Sequence, residues 1–99
     1  MPSYRLSSAA ENDLAHIAAY TIETFGIAQA IAYRDGLIRT FEFLAENPKA
    51  ARLRRELKPP LRAHRFQSHL IFYDMQPDGG ILIVRIRHGR EDWLAEAEN

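Results

Sequence analysis

The sequence predicts an α+β fold in which an antiparallel helical hairpin packs against a mainly antiparallel β-sheet. Two amphipathic helical patterns, separated by a single glycine, occupy the first half of the chain. Three strand-like apolar runs, separated by turn residues, occupy the last third. The chain has 99 residues, which suffice for one hydrophobic core and not for two. We therefore expect a single domain spanning residues 1–99.

The first elements are expected to be a short strand over Ser3–Leu6 and a helix from about Ala9 to Thr24. The residues Ser8–Glu11 match a capping box, in which a serine and a glutamate satisfy each other's backbone N–H groups. Gly26 is expected to end this helix in a left-handed conformation. Its apolar stripe recurs at spacings of three and four: Ala10, Leu14, Ile17, Ala18, Thr21 and Phe25.

A second helix is expected to begin near Ile27 or Ala28. It ends at Asn47-Pro48, because the residue before a proline is excluded from helical geometry. So short a link between two amphipathic helices implies an antiparallel hairpin. The stripe of this helix is Ile27, Ala30, Ile31, Arg34, Leu37, Ile38, Phe41, Leu44 and Ala45.

The last third is expected to form a three-stranded meander over Leu61–Phe66, His69–Gln76 and Ile81–Arg87. Gln67-Ser68 and the segment 77–80, which contains two glycines, are the expected turns. The pattern over residues 91–98 is compatible with a further short helix.

Turn geometry predicts the strand register. A two-residue turn in the first hairpin places Arg62 opposite Tyr73. In the second hairpin, a two-residue turn would place Phe72 beside Arg85 and so mix apolar and charged side chains on one face. A three-residue loop over 78–80 instead pairs Tyr73 with Arg85 and Phe72 with Ile86. We adopt the three-residue loop because it keeps one face apolar.

This register gives the sheet two unlike faces. The face expected to pack on the helices carries Ala63, Leu70, Phe72, Leu82, Val84 and Ile86. The opposite face, expected to be open, carries Arg62, His64, Ile71, Tyr73, Ile83, Arg85 and Arg87. An open face that combines apolar and basic side chains indicates a partner or a target.

The charge of the chain is strongly polarised although its net value is zero. Residues 47–90 hold ten Lys/Arg and three acidic side chains, a net charge of +7, whereas residues 1–46 have a net charge of −3 and residues 91–99 of −4. A basic surface of this kind attracts nucleic acid, a ribosome or an acidic protein segment. The acidic tail is expected to fold back onto this surface, with Trp93 as its anchor.

We expect no cofactor, no metal and no membrane span. The four histidines have no ligand spacing and no cysteine partners, and neither a P-loop nor a dinucleotide-binding glycine pattern occurs. No apolar run approaches the roughly 20 residues of a membrane helix. The absence of cysteine fits a reducing cytoplasm.

One set of side chains on the expected open face could carry chemistry. Arg62, Arg85 and Arg87 could hold a phosphodiester, and Tyr73 or His88 could move a proton, as in a metal-independent ribonuclease. Alternatively, these arginines bind carboxylates or backbone groups of a partner protein. We favour binding, because the sequence shows no acid–base pair beyond His88.

Several motifs of the second half stand in a recognisable order. They are Asn47-Pro48, Leu61-Arg62, the strand His69–Asp74 with its LIFY sequence, and Ile83–Asp92, whose ending is similar to HGRxD. With the order of the elements, they resemble the RelE/ParE superfamily of bacterial type II toxins, and ParE more than RelE. The resemblance places the first strand at the sheet edge, beside the last strand.

This resemblance implies a cytoplasmic bacterial toxin that inhibits DNA gyrase by binding and is not an enzyme. It also implies a ParD-like antitoxin whose C-terminal segment folds on the toxin, in a hetero-oligomer such as a heterotetramer. The candidate residues for partner or target binding are Arg62, Tyr73, Arg85, Arg87, His88, Arg90 and Trp93.

Two other hypotheses stay open. RelE-like relatives cut messenger RNA in the ribosomal decoding site, and in that case Arg62, Tyr73, Arg85 and His88 would be catalytic. These relatives use a tyrosine or histidine near the chain end, and no tyrosine follows His88 here. The last hypothesis is a binding module without toxicity, which would leave growth unchanged.

Overall fold

The computed structural model describes residues 3–90 and consists of two helices and a five-stranded mixed sheet. In chain order the elements are β1 (Tyr4–Leu6), α1 (Ser8–Phe25), α2 (Ile27–Glu46), β2 (Leu53–Arg54), β3 (Leu61–Phe66), β4 (His69–Met75) and β5 (Ile81–His88). The α+β class, the helical hairpin and the meander are thereby confirmed. Within residues 3–90, no helix has the length and apolar character needed to cross a membrane. The expected C-terminal helix, the acidic tail and Trp93 lie outside the described residues.

Helix α1 is capped by Ser7 and not by Ser8, so the predicted capping box is wrong and the N-cap lies one residue earlier than predicted. The Ser7 hydroxyl accepts a hydrogen bond from the Ala10 N–H at 3.0 Å and donates one to the Val84 carbonyl at 2.7 Å. Ser7 therefore caps the helix and ties its start to β5. Gly26 ends α1 with a positive φ of 94°, as predicted, but its ψ of 168° lies outside the left-handed helical region.

The sheet has the strand order β1-β5-β4-β3-β2. Strand β1 lies at the edge and runs parallel to β5, which confirms its expected position, and all other neighbours are antiparallel. Strand β2 was not predicted. It forms within the connection between α2 and β3, residues 47–60, which we call the basic connection, and it pairs Leu53 with Arg62. Part of this connection is therefore the second edge of the sheet.

The register of the first hairpin is confirmed, whereas that of the second is wrong. Tyr73 pairs with Ile83 and not with Arg85, and Phe72 pairs with Arg85 and not with Ile86. The register shifts between Phe72 and Tyr73, so Val84 is an extra residue on β5. Such a β-bulge inserts one residue into one strand of an antiparallel pair.

The loop of the second hairpin lies one position earlier than predicted. The Gln76 N–H donates to the Gly80 carbonyl at 2.8 Å, so the three loop residues are 77–79. Gly79 has a φ of 93°, a conformation that glycine adopts without steric cost. The predicted loop length is correct, and its position is wrong.

The helices pack on the face that was expected to be open, so the predicted assignment of the faces is wrong. The core between helices and sheet contains Ala10, Leu37, Phe41, Leu44, Ala45, Ala51, Ile71, Tyr73, Ile81, Ile83 and Ile86. On the other face, Leu70 and Phe72 pack with Leu57 of the basic connection. The sequence did not discriminate between the faces because β4 is apolar on both of them.

Candidate interaction sites

Tyr73 and Arg62 connect the segment after α2 to the sheet. Tyr73 is fully buried, and its hydroxyl donates to the Pro48 carbonyl at 2.8 Å and accepts from the Ala51 N–H at 3.3 Å. Arg62 donates to the Ala51 carbonyl at 2.6 Å. Burial raises the pKa of Tyr73, and this outweighs the opposite effects of the Ala51 N–H and of the Arg62 charge. The prediction that Tyr73 lies on an open face is wrong. The segment that contains Pro48 and Ala51 covers Tyr73, and the Tyr73 hydroxyl binds the backbone of that segment.

Arg85 joins the sheet to α1 through Asp13. Its guanidinium donates two hydrogen bonds to the Asp13 carboxylate, at 2.8 and 3.0 Å, and the Ile86 N–H donates a third at 2.9 Å. Strand β1 pairs with β5 only as far as Ile83, so Asp13 occupies the strand edge beyond the end of β1. Burial raises the pKa of Asp13, but these hydrogen bonds and the charges of Arg85 and Arg87 outweigh it and leave the pKa lowered.

A cross-strand histidine pair lies where β4 begins and β5 ends. His69 pairs with His88 in the sheet, and their rings lie 5.3 Å apart between centroids. The Tyr33 hydroxyl of α2 lies 2.7 Å from Nδ1 of His69. Burial raises the pKa of Tyr33, opposed by a hydrogen bond from the Ser68 backbone. We call Tyr33, His69 and His88 the histidine corner.

Sequence reasoning selected His88 and missed both His69 and Tyr33. The predicted register of the second hairpin pairs His69 with Gly89. The earlier position of the loop would by itself pair His69 with Arg87, and the bulge at Val84 moves the partner to His88. The two-residue turn that was rejected above would also have paired His69 with His88. Tyr33 comes from a distant helix, so no local pattern indicates it.

Two arginines border a shallow cleft beside the histidine corner. The cleft measures about 340 Å³ and is lined by Arg65, Gln67, Ser68, His88, Gly89 and Arg90. The Gly89 N–H donates to the Ser68 carbonyl at 2.8 Å and the Arg90 N–H to Nδ1 of His88 at 3.1 Å. We call Arg65 and Arg90 the arginine pair. Of the two, Arg90 is among the residues predicted from the sequence to bind a partner or target.

The tip of the helical hairpin exposes a group of large apolar side chains, which we call the hairpin patch. Its members, with their exposed fractions, are Tyr20 (64%), Ile22 (45%), Phe25 (65%), Ile27 (65%) and Ile31 (56%). Three of them, Phe25, Ile27 and Ile31, were predicted to pack in the helical stripes, and that prediction is wrong. The buried residues of α2 begin only at Ala30, because its first turn extends beyond the core.

The hairpin patch and the histidine corner share a cleft. This cleft, of about 260 Å³, is lined by Tyr20, Thr21, Phe25, Gln29, Tyr33, Gln67, Ser68, His69 and His88. One side is therefore apolar, and the other carries imidazole, hydroxyl and amide groups. Within residues 3–90, no group of three His, Cys, Asp or Glu side chains could hold a metal ion.

The candidate residues named from the sequence thus do not form one site. Arg62, Tyr73 and Arg85 make contacts within the protein, whereas His88 and Arg90 lie together at the end of β5. Arg87, which is partly buried, pairs with Leu70 on β4. The hairpin patch and the arginine pair thus place an apolar surface near a basic one. Such a combination suits the binding of one apolar and one anionic group.

Comparison with known proteins gives consistent matches along the chain. The sequence profile of the family described as "ParE toxin of type II toxin-antitoxin system, parDE" matches residues 4–93. Toxin ParE1 of Mycobacterium tuberculosis is 35% identical over 89 residues, which cover 90% of this chain and 91% of the relative. Toxin ParE1 of Caulobacter vibrioides is 33% identical over 88 residues, covering 89% and 90%. Toxin ParE of Escherichia coli is 34% identical over 94 residues, covering 95% and 91%.

The fold is also found among solved structures. A chain of the structure described as "Chromosomal ParDE TA system from P. aeruginosa" superposes with a TM-score of 0.74, covering 89% of this chain and 96% of that chain. The two sequences are 20% identical, so this likeness concerns the fold.

Proposed function

Because this chain belongs to the ParE toxin family of type II toxin–antitoxin systems, we propose that it blocks replication by binding DNA gyrase and that a ParD-like antitoxin neutralises it. The observation that carries this proposal is the similarity to curated ParE toxins along nearly the whole chain. Gyrase and the replicating chromosome are cytoplasmic in bacteria, so the proposed site of action is the cytoplasm.

The internal contacts of three candidate catalytic residues support a toxin that acts by binding. Arg62 donates to a backbone carbonyl, Tyr73 is fully buried, and Arg85 forms a two-hydrogen-bond pair with Asp13. A catalytic group must reach its substrate within hydrogen-bonding distance. These three side chains instead stabilise the fold. We assign recognition of gyrase to the basic residues His88 and Arg90 at the end of β5.

The hairpin patch is the proposed binding site of the antitoxin. Five large apolar side chains are exposed near the turn of the helical hairpin, and exposed apolar surface on a small protein is typical of a protein–protein interface. The C-terminal segment of the antitoxin would fold on the toxin and cover this patch with its own apolar side chains. Two toxins bound to an antitoxin dimer would give the heterotetramer expected from the family.

A gyrase assay tests the proposed target. Purified toxin is added to gyrase of the same organism with plasmid DNA, and both supercoiling and cleaved DNA are measured. Accumulation of cleaved DNA, prevented when the toxin is mixed beforehand with its antitoxin, is the expected result. Normal supercoiling at every toxin concentration would refute gyrase as the target.

Charge substitutions in the hairpin patch test the antitoxin site. Phe25→Asp and Ile31→Asp should each weaken antitoxin binding at least about tenfold, because a carboxylate would replace an apolar contact. Met75→Asp is the matched control, since Met75 is also an exposed apolar residue (39%) and lies outside the patch. Thermal unfolding verifies that the variants fold. Equal antitoxin affinity for all three variants and the wild type would place the antitoxin elsewhere.

The ribonuclease hypothesis is the second candidate, because the structure adds an acid–base pair that the sequence analysis lacked. His69 and His88 are cross-strand neighbours beside the arginine pair, and two histidines can act as general base and general acid. Cleavage of messenger RNA in a translating extract, abolished by His88→Ala, would favour this candidate. Intact messenger RNA with wild-type protein would exclude it.

A further inference from the structure

We propose that the arginine pair, Arg65 and Arg90, binds a backbone phosphate of DNA, and that this contact places the toxin beside the DNA held by gyrase. The second part rests on the proposed function, whereas the phosphate site itself does not. The proposal is carried by a juxtaposition at one corner of the sheet. The end of β3, the β3–β4 turn and the residues that follow β5 bring two arginines, a serine and a glutamine to one cleft.

The topology holds this corner together independently of any ligand. The Gly89 N–H donates to the Ser68 carbonyl, so the chain leaving β5 is joined to the β3–β4 turn. Arg65 donates to the Gln67 carbonyl at 3.2 Å, which fixes its guanidinium above the same turn. The Arg65 guanidinium is therefore positioned by a backbone contact, and such preorganisation lowers the entropic cost of binding.

Gly89 allows the guanidinium of Arg65 to lie directly against the backbone. A Cβ atom at position 89 would be 2.8 Å from Nη1 of Arg65 and 3.0 Å from Nη2, closer than real contacts of this kind. Any other residue at this position would move the guanidinium. The absence of a side chain at Gly89 therefore allows the position that Arg65 takes in the cleft.

The chemistry of the lining selects an anion with several acceptor oxygens. None of the six lining residues is acidic, and the side chains include the Ser68 hydroxyl and the Gln67 amide. Guanidinium groups match phosphate with paired, charge-assisted hydrogen bonds.

The position of the corner fits this occupant. The hairpin patch borders the neighbouring cleft, which begins at Tyr20 and Phe25 and reaches His88. An apolar protein segment on the patch would therefore lie next to a phosphate at the corner. A protein segment on the hairpin patch and a phosphate at the arginine pair can therefore be bound together, or the two can compete for the space between the clefts.

The experiment measures binding of a fluorescently labelled DNA duplex to the purified toxin, without gyrase, between about 50 and 200 mM salt. Arg65→Ala and Arg90→Ala should each reduce the affinity about fivefold and lower the slope of log K against log salt by about 1. Gly89→Ala should reduce the affinity in the same direction, because it displaces Arg65. Unchanged thermal unfolding of these three variants separates a binding role from a structural role.

Arg5→Ala is the matched control. Arg5 is exposed on β1 and pairs with Leu82, which lies six residues before His88 on β5 and so roughly 20 Å from the corner. This variant loses the same charge and should bind the duplex within about twofold of the wild type. Equal losses for Arg5→Ala and Arg65→Ala would reduce the effect to net charge and overturn the site.

Competitors identify the source of the phosphate. Inorganic phosphate should displace the duplex only at millimolar concentrations, because it lacks the neighbouring phosphates of the polymer. Displacement by micromolar phosphate would overturn the DNA assignment in favour of a free phosphate. Stronger displacement by polyglutamate than by unlabelled duplex would overturn it in favour of an acidic protein partner. A wild-type toxin that binds no duplex would also overturn the DNA assignment.

The outcomes separate this inference from the proposed function. Arg65- and Arg90-dependent duplex binding by a toxin that leaves gyrase unaffected would refute the gyrase target and retain the phosphate site. A toxin that poisons gyrase equally well with and without the arginine pair would refute the role of the site and retain the target.

Discussion

At the scale of single residues, three of the polar side chains that the sequence marks as functional join the layers of this fold. Tyr73 and Arg62 bind backbone groups of the connection after α2, and Arg85 binds Asp13 of α1. Buried polar groups need hydrogen-bond partners, so a tyrosine in a core must be given one. Here the partners are carbonyl and N–H groups that would otherwise be unpaired in an irregular segment.

Tyr73→Phe should destabilise the protein by about 1–2 kcal/mol, because it removes the hydroxyl that bonds Pro48 and Ala51 and leaves the ring in place. The free energy of unfolding is measured by urea denaturation. Tyr20→Phe is the control, since Tyr20 is 64% exposed and its change should stay within about 0.5 kcal/mol. Wild-type stability of Tyr73→Phe would show that these two hydrogen bonds contribute nothing measurable.

Asp13→Asn should lower stability by about 1–3 kcal/mol near neutral pH, since it removes the charge that Arg85 binds. The lowered pKa of Asp13 means that the ionised carboxylate stabilises the folded state. This contribution is fully present above the unfolded pKa of about 4 and is lost as the pH falls through the lowered folded pKa. The difference in unfolding free energy between wild type and Asp13→Asn should therefore shrink below about pH 4.

Glu11→Gln is the control for this pH dependence, because Glu11 is an exposed acid in the first turn of the same helix. Its difference from the wild type should stay within about 0.5 kcal/mol at all pH values. A difference for Asp13→Asn that stayed constant down to about pH 2 would mean that the charge of Asp13 does not contribute.

At the scale of elements, one extra residue in β5 decides which side chains meet. The bulge at Val84 places Ile83 and Ile86, which are three positions apart, in the same core. Without it, strict alternation would put them on opposite faces. The Ser7 hydroxyl binds the Val84 carbonyl, so the irregular strand position and the start of α1 stabilise each other.

The basic connection after α2 is an element of the fold and is not only a charged surface. Leu57 is 1% exposed and packs with Leu70 and Phe72 on the sheet face opposite the helices. Leu57→Ala should therefore cost about 2–4 kcal/mol by urea denaturation, because it leaves a cavity over the sheet. Arg55→Ala, at an exposed position of the same connection, should be nearly neutral. Equal effects of both substitutions would mean that this connection does not cover the sheet.

At the scale of the whole molecule, the two proposed surfaces use different physical interactions. The hairpin patch is apolar, whereas the arginine pair, His69 and His88 lie in residues 47–90, which have a net charge of +7. At 0.1 M, salt screens interactions between exposed charges that lie more than about 10 Å apart, and it has little effect on apolar contacts. The binding of the antitoxin and the action on gyrase should thus be separable by ionic strength.

Raising the salt concentration from about 50 to 200 mM should increase the toxin concentration that half-saturates DNA cleavage by gyrase several-fold. Antitoxin affinity, measured by calorimetry over the same range, should change by less than about twofold. The DNA-cleavage response to a small-molecule gyrase poison is the control for salt effects on gyrase itself. Equal salt dependence of both reactions would indicate that one mixed surface serves both partners.

The sequence by itself determined the two helices, strand β1 and the three strands of the meander, their order, the single-glycine link between the helices and the register of the first hairpin. These features depend on local periodicity, on proline and glycine geometry and on a two-residue turn, all of which are encoded by neighbouring residues. The family-specific motifs 83–92 also lie in one continuous segment. The family could therefore be inferred from the sequence as a resemblance, before the fold was known.

Only the tertiary structure decided which sheet face the helices cover, where β5 is bulged and which polar residues are buried. Strand β4 is apolar on both faces, so burial of Tyr73 and exposure of Phe25 depend on where the helices end relative to the sheet. The pairing of His69 with His88, and the approach of Tyr33, likewise depend on one inserted residue and on a contact 36 positions apart. Packing between distant segments sets these features, and no local pattern specifies that packing.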